Sequence, residues 1–231
     1  MDLFSKIRTK LGASIVDLVR SRYGVVNFYA DQERRGDLDV IASVRRERKL
    51  LLSDHEALQI MMATHATAKV PGDIAEVGTY KGASSKLIAE ARGENSEKSI
   101  YLFDTFEGLP ELQDIDRSNF YDHQYEANFE DVKDYLYAYP NVYVYKGIFP
   151  SSGKPIESKK FSFVHLDVDL YEGTKESLGF FYPRMSPCGI IISHDYTTAP
   201  GVRKAVDDFM SDKPEALLVP SWRQCLIVKS A

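Results

Sequence analysis

From Asp73 to the C-terminus, short apolar runs alternate with stretches whose apolar positions recur every three to four residues. The runs IAEV, SIYLFD, VYVYKGIF, FSFVHLDVD and GIIIS read as strands, and GASSKLIAEAR, FEDVKDYLYAY, EGTKESLGFFY and GVRKAVDDFM read as helices. Strands that alternate with helices predict a parallel sheet covered on both faces. The chain then closes with EALLVP, a turn at Ser221, and RQCLIVKS. No helix fits between these last strands, so the final one is predicted to run antiparallel. Upstream, Ser53 followed by Glu56 reads as a capping box that opens a helix ALQIMMATHATA, which stops before Pro71-Gly72. The stretch Tyr23 to Arg48 is a polar connector with a helical piece and two charge clusters, RRGDLD and RRERK. At the N-terminus, Leu3, Phe4, Ile7, Leu11, Ile15 and Val19 lie near helical spacing. They predict a helix packed on the body or on a second subunit.

Composition narrows the class. The 231 residues are 44% hydrophobic and 12% aromatic, which fits one well-buried α/β domain with a small extension. A net charge of -5 disfavours a nucleic-acid backbone as partner. Only two cysteines occur, both in apolar stretches, so neither a disulfide framework nor a zinc site is expected and a reducing cytoplasm is the default. No apolar run approaches the length of a bilayer span.

Ligands of open α/β sheets bind outside the carboxyl ends of the strands, so the polar residues that end each strand carry the chemistry. The first such end is Glu76-Val77-Gly78-Thr79-Tyr80-Lys81-Gly82-Ala83-Ser84-Ser85. Gly78 permits a sharp turn, Gly82 lets the next helix start close to a ligand, and the Ser84 and Ser85 hydroxyls add donors. This is not GxGxxG, and acidic Glu76 suits a cationic ligand better than a phosphate. Asp104 ends the next strand, where a carboxylate can accept both hydroxyls of a ribose. Asp167 and Asp169 follow in LDVD, and Ser193-His194-Asp195-Tyr196 ends the strand after it. Three carboxylates and an imidazole at one rim can hold a hard cation or supply a general base. Neighbours His194 and Asp195 would point to opposite faces of a regular strand, so both reach the site only if the chain already turns there. His55 and His65 read as structural. The polar stretch from Leu109 to Phe129 is long enough to be a lid over the strand ends, with Tyr121 and Tyr125 offering stacking faces. Tyr135, Tyr137 and Tyr139 are expected to pack a helix against the sheet.

Taken together, EVGTYKGASS, LFDTFEGLP, LDVDLYEGT, FFYPRMSPCGIIISHDY and PGVRKAVDDF resemble the macrocin O-methyltransferase family. Its members are S-adenosylmethionine-dependent methyltransferases of Rossmann-like fold that methylate sugar hydroxyls of natural products. The resemblance runs from about Leu50 to the C-terminus. It implies a doubly wound, mostly parallel seven-stranded sheet with an antiparallel C-terminal strand, in a methyltransferase domain over 49–231 behind an N-terminal helical extension over 1–48. It also implies that the turn from Glu76 to Ser85 (Glu76, Gly78, Thr79, Tyr80, Gly82, Ser84 and Ser85) holds the methionine portion of the cofactor. Asp104 would take the ribose hydroxyls, with Phe106 beside it and Asp167 at the same pocket. Carried over from metal-dependent members, Asp167 and Asp195 become magnesium ligands and Asp169 the base. The sequence departs from the family at His194-Asp195, where those members have Asp-Asp. Imidazole is a poor magnesium ligand, which leaves three alternatives: one ligand fewer, a metal such as manganese, or no metal with His194 as general base. The expected partner is a small-molecule hydroxyl acceptor, and the N-terminal extension is the candidate contact for a homo-oligomer. Two rival readings remain, a binding module without turnover and a nicotinamide-dependent oxidoreductase, the latter disfavoured by the missing third glycine.

Overall fold

The computed structural model describes residues 34–221 and 223–230. The helix expected from Leu3 to Val19, and the subunit contact assigned to it, lie outside these residues. The chain divides into two compact units, Met1–Gly36 and Asp37–Ala231. All that follows concerns the second.

Seven strands form one sheet: β1 (Asp73–Val77), β2 (Ile100–Asp104), β3 (Val142–Lys146), β4 (Phe161–Leu166), β5 (Met185–Ser193), β6 (Leu217–Ser221) and β7 (Gln224–Val228). Their order is β3-β2-β1-β4-β5-β7-β6. β1 to β5 pair in parallel, and β7 slots antiparallel between β5 and β6. Every residue of β4 is buried, as are the last four of β1, which is why these strands are mostly apolar, broken only by buried Glu76, Ser162 and His165. Edge strand β3 instead keeps an exposed face.

Six α-helices are described: α1 (Arg35–Glu47), α2 (Asp54–Ala66), α3 (Ala83–Arg92), α4 (Phe129–Leu136), α5 (Tyr171–Phe181) and α6 (Pro200–Met210). Among the described residues no helix is long and apolar enough to cross a membrane. The expected capping box opens α2: the Ser53 side chain accepts from the Glu56 amide, and Glu56 Oε2 accepts from the Ser53 amide at 2.6 Å. On one side of the sheet an aromatic core gathers Phe103, Phe149, Phe161 and Phe181, with the Phe149 and Phe181 rings stacked at 5.1 Å.

The α4 tyrosines differ from expectation. Tyr135 donates to Glu47 of α1 at 2.9 Å, Tyr139 donates to Glu90 of α3, and Tyr137 is 89% exposed. Tyr135 and Tyr139 tie helix to helix instead of helix to sheet, because α4 borders the edge strand, where little sheet surface remains to be covered.

The strand order reverses between β1 and β4: β2 and β3 lie to one side of β1, β4 and β5 to the other. Such a switch point opens a crevice at the carboxyl ends of the strands.

Candidate active site

The crevice is shaped by backbone. Gly78 adopts φ +93, and a β-carbon there would stand 1.8 Å from the Asp167 carbonyl oxygen. The Gly78 amide donates to Phe103 O at 2.8 Å, and the Asp167 amide donates to Val77 O at 2.8 Å. The ends of β2, β1 and β4 are thereby drawn together.

Asp104, at the end of β2, accepts the Tyr80 amide on one carboxylate oxygen and the Phe106 amide on the other, each at 2.7 Å. Tyr80 and Phe106 both hold positive φ, 48 and 57 degrees, so the loops after β1 and β2 are bent to aim these amides at one carboxylate. Burial pushes the Asp104 pKa up, and the two amides offset part of that rise. Asp104 remains on the cavity wall, where free lone pairs can accept from a ligand.

Beneath the first turn lies a second acidic group. Glu76 is fully buried, accepts the Ser85 hydroxyl and stands 2.8 Å from His165 Nδ1, its partner in the β1–β4 register. The pair joins β1, β4 and α3 from inside. Of the residues expected around the cofactor, Gly78, Tyr80, Asp104 and Asp167 line the cavity. Glu76, Thr79, Gly82, Ser84, Ser85 and Phe106 do not. Gly82 backs onto Val132 of α4, and Phe106 packs edge-on against Phe129 at 5.2 Å. These six shape the turn from behind.

Across the crevice, Asp167, Asp169, His194 and Asp195 converge on the same cavity, about 280 Å³ in volume. Asp169 and Asp195 have positive φ, 64 and 57 degrees. The chain therefore does turn after β5, and His194 and Asp195 face the same cluster. His194 Nδ1 lies 2.9 Å from Asp167 and 3.2 Å from Asp195, while Nε2 lies 3.4 Å from Glu56 Oε1. Neither nitrogen is aligned for a directional hydrogen bond with these oxygens.

The titration pattern follows from this crowding. Burial would lower the His194 pKa, but the carboxylates of Asp167, Asp195 and Glu56 outweigh it and hold it well above the ordinary value. A carboxylate thus stands beside each nitrogen of the ring. Burial and the charges of Asp167 and Asp195 push Asp169 well up, and it shares a hydrogen bond with Asp195. For Asp195 burial acts upward, but contacts with His194, Thr198 and Asp169 hold it well below the usual range.

The long loop is folded over the cavity, to which it contributes Leu109, Pro110, Gln113 and Tyr125. It is anchored at both flanks. An isolated bridge joins Glu107 to Glu126, and buried Asp116 accepts the Tyr171 amide at the start of α5 at 3.1 Å. Asn119 donates to Thr198 O at 2.9 Å. Tyr125 projects toward the acids: burial, then the charges of Asp169, Asp195 and Asp167, raise its phenol to about 12. Tyr121 lies on the exposed surface and does not line the cavity.

Two contributors were not anticipated. Arg223, in the turn before β7, lines the cavity 3.7 Å from Asp195 because β7 inserts beside β5. Glu56 reaches His194 from α2 with the oxygen its capping box leaves free. A capping motif gives no sign of such a second contact, and an arginine in a turn is unremarkable without the strand order.

The family described as macrocin O-methyltransferase matches residues 52–216, most of the chain. The protein belongs to the macrocin O-methyltransferase family. The matched range contains every expected site residue from Glu76 to Asp195 and leaves out Arg223. A 4'-O-methyltransferase of 8-demethyl-8-(2,3-dimethoxy-alpha-L-rhamnosyl)-tetracenomycin C from Streptomyces olivaceus is 31% identical over 169 residues, 66% of this chain and 63% of that protein. Mycinamicin III 3''-O-methyltransferase from Micromonospora griseorubida is 26% identical over 158 residues, 61% of each chain. The chain thus spans under two thirds of the length of these curated relatives. Among solved structures, the O-methyltransferase NovP superposes with a TM-score of 0.67 at 21% identity, covering 79% of this chain and 82% of NovP. A Bacillus cereus O-methyltransferase in complex with SAH gives 0.54 at 16% identity, over 93% and 97%. Both share the Rossmann-like methyltransferase fold seen here.

Proposed function

We propose that this protein transfers a methyl group from S-adenosylmethionine to a hydroxyl of a small molecule, a sugar carried on a natural product. The observation that carries the reading is the meeting of Asp104 and Asp169 on one cavity across the β1–β4 switch point. One suits a nucleoside and the other a proton. The name of the Streptomyces olivaceus relative, a 4'-O-methyltransferase of a rhamnosyl-tetracenomycin, supports a sugar acceptor.

When bound, the cofactor supplies a methyl group already activated on a sulfonium, so the protein has to align the reactants and remove one proton. Alignment alone can contribute roughly 7–11 kcal/mol. Asp104 accepts the ribose hydroxyls, pre-oriented by the Tyr80 and Phe106 amides. Gly78 lets the methionine portion approach the backbone, since a side chain there has no room. Acidic groups around the reacting centre favour a positively charged ligand. Asp169 takes the acceptor's proton; its raised pKa suits this role, and it is ionised once the charges of Asp167 and Asp195 are neutralised.

A divalent cation, if held by Asp167 and Asp195, would supply Lewis acidity toward the acceptor hydroxyl. Asp167, His194 and Asp195 offer ligand atoms within 4.8 Å of one another. The buried, unaligned nitrogens of His194 fit an ion that accepts nitrogen, and fit magnesium poorly. We place the protein in the cytoplasm, in keeping with its two unpaired cysteines.

The test is direct. S-adenosylhomocysteine should bind in calorimetry with one site, and incubation with S-adenosylmethionine and deoxysugar glycosides should give a product heavier by one methylene in mass spectrometry. Binding without any product from a broad panel of hydroxyl acceptors would favour a silent module.

A further inference from the structure

The atoms around His194 say more about the cation than the carboxylates alone. We propose that Asp167, His194 Nδ1 and Asp195 form a mixed nitrogen–oxygen site for a divalent transition ion of the manganese(II) type, with Glu56 as the positioning residue that holds His194 for it. The proposal rests on the reading that Asp167 and Asp195 hold a cation, and it departs from the all-oxygen pair that the resemblance implies.

The argument is geometric. The two faces of the His194 ring edge are differently employed. Nδ1 points at the space shared by Asp167 and Asp195, 2.9 and 3.2 Å away, without alignment to either. Nε2 points the opposite way, to Glu56 Oε1 at 3.4 Å. Both side chains are almost fully enclosed, 4% exposed for His194 and 2% for Glu56. Glu56 Oε1 has no aligned hydrogen-bond partner, while Oε2 is locked by the Ser53 amide and hydroxyl at 2.6 and 2.7 Å. The α2 cap thus fixes the carboxylate beside Nε2. A cation between the two aspartates would displace the Nδ1 proton and take its lone pair while Nε2 keeps its proton on the Glu56 side, the usual way in which an outer carboxylate orients a ligating histidine.

Ligand chemistry then selects the ion. Magnesium demands oxygen ligands in near-ideal octahedral geometry, whereas imidazole with carboxylates suits manganese, iron and their neighbours. Asp169, hydrogen-bonded to Asp195, stays outside the donor set and keeps its role toward the acceptor.

The experiment uses the full chain stripped with chelator and titrated with manganese(II), followed by electron paramagnetic resonance. The bound ion should show spin-echo modulation from one imidazole nitrogen. His194→Asp should erase that modulation and lower the manganese-to-magnesium preference at least tenfold. Glu56→Gln, which still caps α2, should keep the nitrogen signal and weaken manganese binding roughly tenfold. Binding of S-adenosylhomocysteine, measured on each sample, reports that the fold is intact. Manganese bound without nitrogen modulation overturns the proposal. So does equal affinity for magnesium in the native protein, or no ion bound at all, which would leave His194 as an internal cation among three carboxylates. Methyl transfer that persists in chelator would likewise sink the ion while leaving the methyltransferase reading intact. Failure of S-adenosylhomocysteine to bind a folded protein would do the reverse.

Discussion

The carbonyl oxygen of Asp167 occupies the space into which any side chain on Gly78 would have to grow. The contact couples the turn after β1 to the first acid of the cluster after β4, so the two halves of the crevice share one backbone junction. Gly78→Ala therefore meets both a backbone clash and a positive φ. The expected loss is roughly 3 kcal/mol of stability from strain and overpacking together. Urea unfolding measures it, and a change below about 0.5 kcal/mol, within the range of an ordinary surface substitution, would show that the junction yields easily.

Asp104→Asn tests the nucleoside end. The amide replaces one accepting oxygen with a donor that must face the Tyr80 or Phe106 N–H, and it removes the charge. S-adenosylhomocysteine affinity should fall ten- to a hundredfold, as expected for about 1.5–3 kcal/mol from a hydrogen bond to a charged group. Calorimetry at neutral pH reads the change, and an unchanged Kd would remove Asp104 from the cofactor.

Asp169→Asn tests the proton end. The substitution keeps size and removes the acceptor of the hydroxyl proton, so kcat should fall by roughly 10²–10⁴ with S-adenosylhomocysteine affinity retained. A variant with more than a third of native turnover would transfer the base role elsewhere in the cluster.

Much of this was legible in the sequence for one reason. Parallel strands buried on both faces are largely apolar runs, so the acidic residues just beyond their last apolar positions mark the rim of the sheet. Asp104, Asp167, Asp169 and Asp195 were found in this way, and all of them reach the cavity. What stayed hidden depends on register and strand order. Glu76 sits one position before the end of β1, where the pleat turns it to His165 inside the sheet. Arg223 enters only because β7 crosses back beside β5. Glu56 announces a helix start, and nothing local reveals that its second oxygen meets an imidazole from the far end of another strand.

Glu215 offers a pH test away from the site. Its carboxylate gathers Lys229 at 2.5 Å, the Ser230 hydroxyl at 2.7 Å and the Tyr182 hydroxyl, fastening the segment before β6 to the end of β7. Burial would raise its pKa, but these partners hold it well below the carboxylate range. A carboxyl depressed by folding contributes stability above its unfolded pKa and loses it as pH falls through the folded value. Glu215→Gln should thus cost roughly 2 kcal/mol at pH 7 and progressively less in acid. Thermal melts of both proteins from pH 7 to pH 3 should converge; parallel curves would mean that the carboxylate's charge contributes nothing.

Asp116 is the point where the loop over the cavity is fastened. Its Oδ1 accepts the Tyr171 amide at the start of α5 and would stand 1.9 Å from a β-carbon on Gly201, so loop, α5 and α6 meet at one buried oxygen. Asp116→Ala removes that acceptor and leaves the Tyr171 N–H unpaired at a helix start, a loss of about 1 kcal/mol. Global stability should change little more than this, because the sheet core is untouched. The loop itself should loosen: amide exchange across residues 109–125 should quicken, and S-adenosylhomocysteine affinity should weaken several-fold while α3 and the β1 turn keep their protection. If exchange quickens equally throughout the sheet, Asp116 supports the fold as a whole and does not act as a local latch.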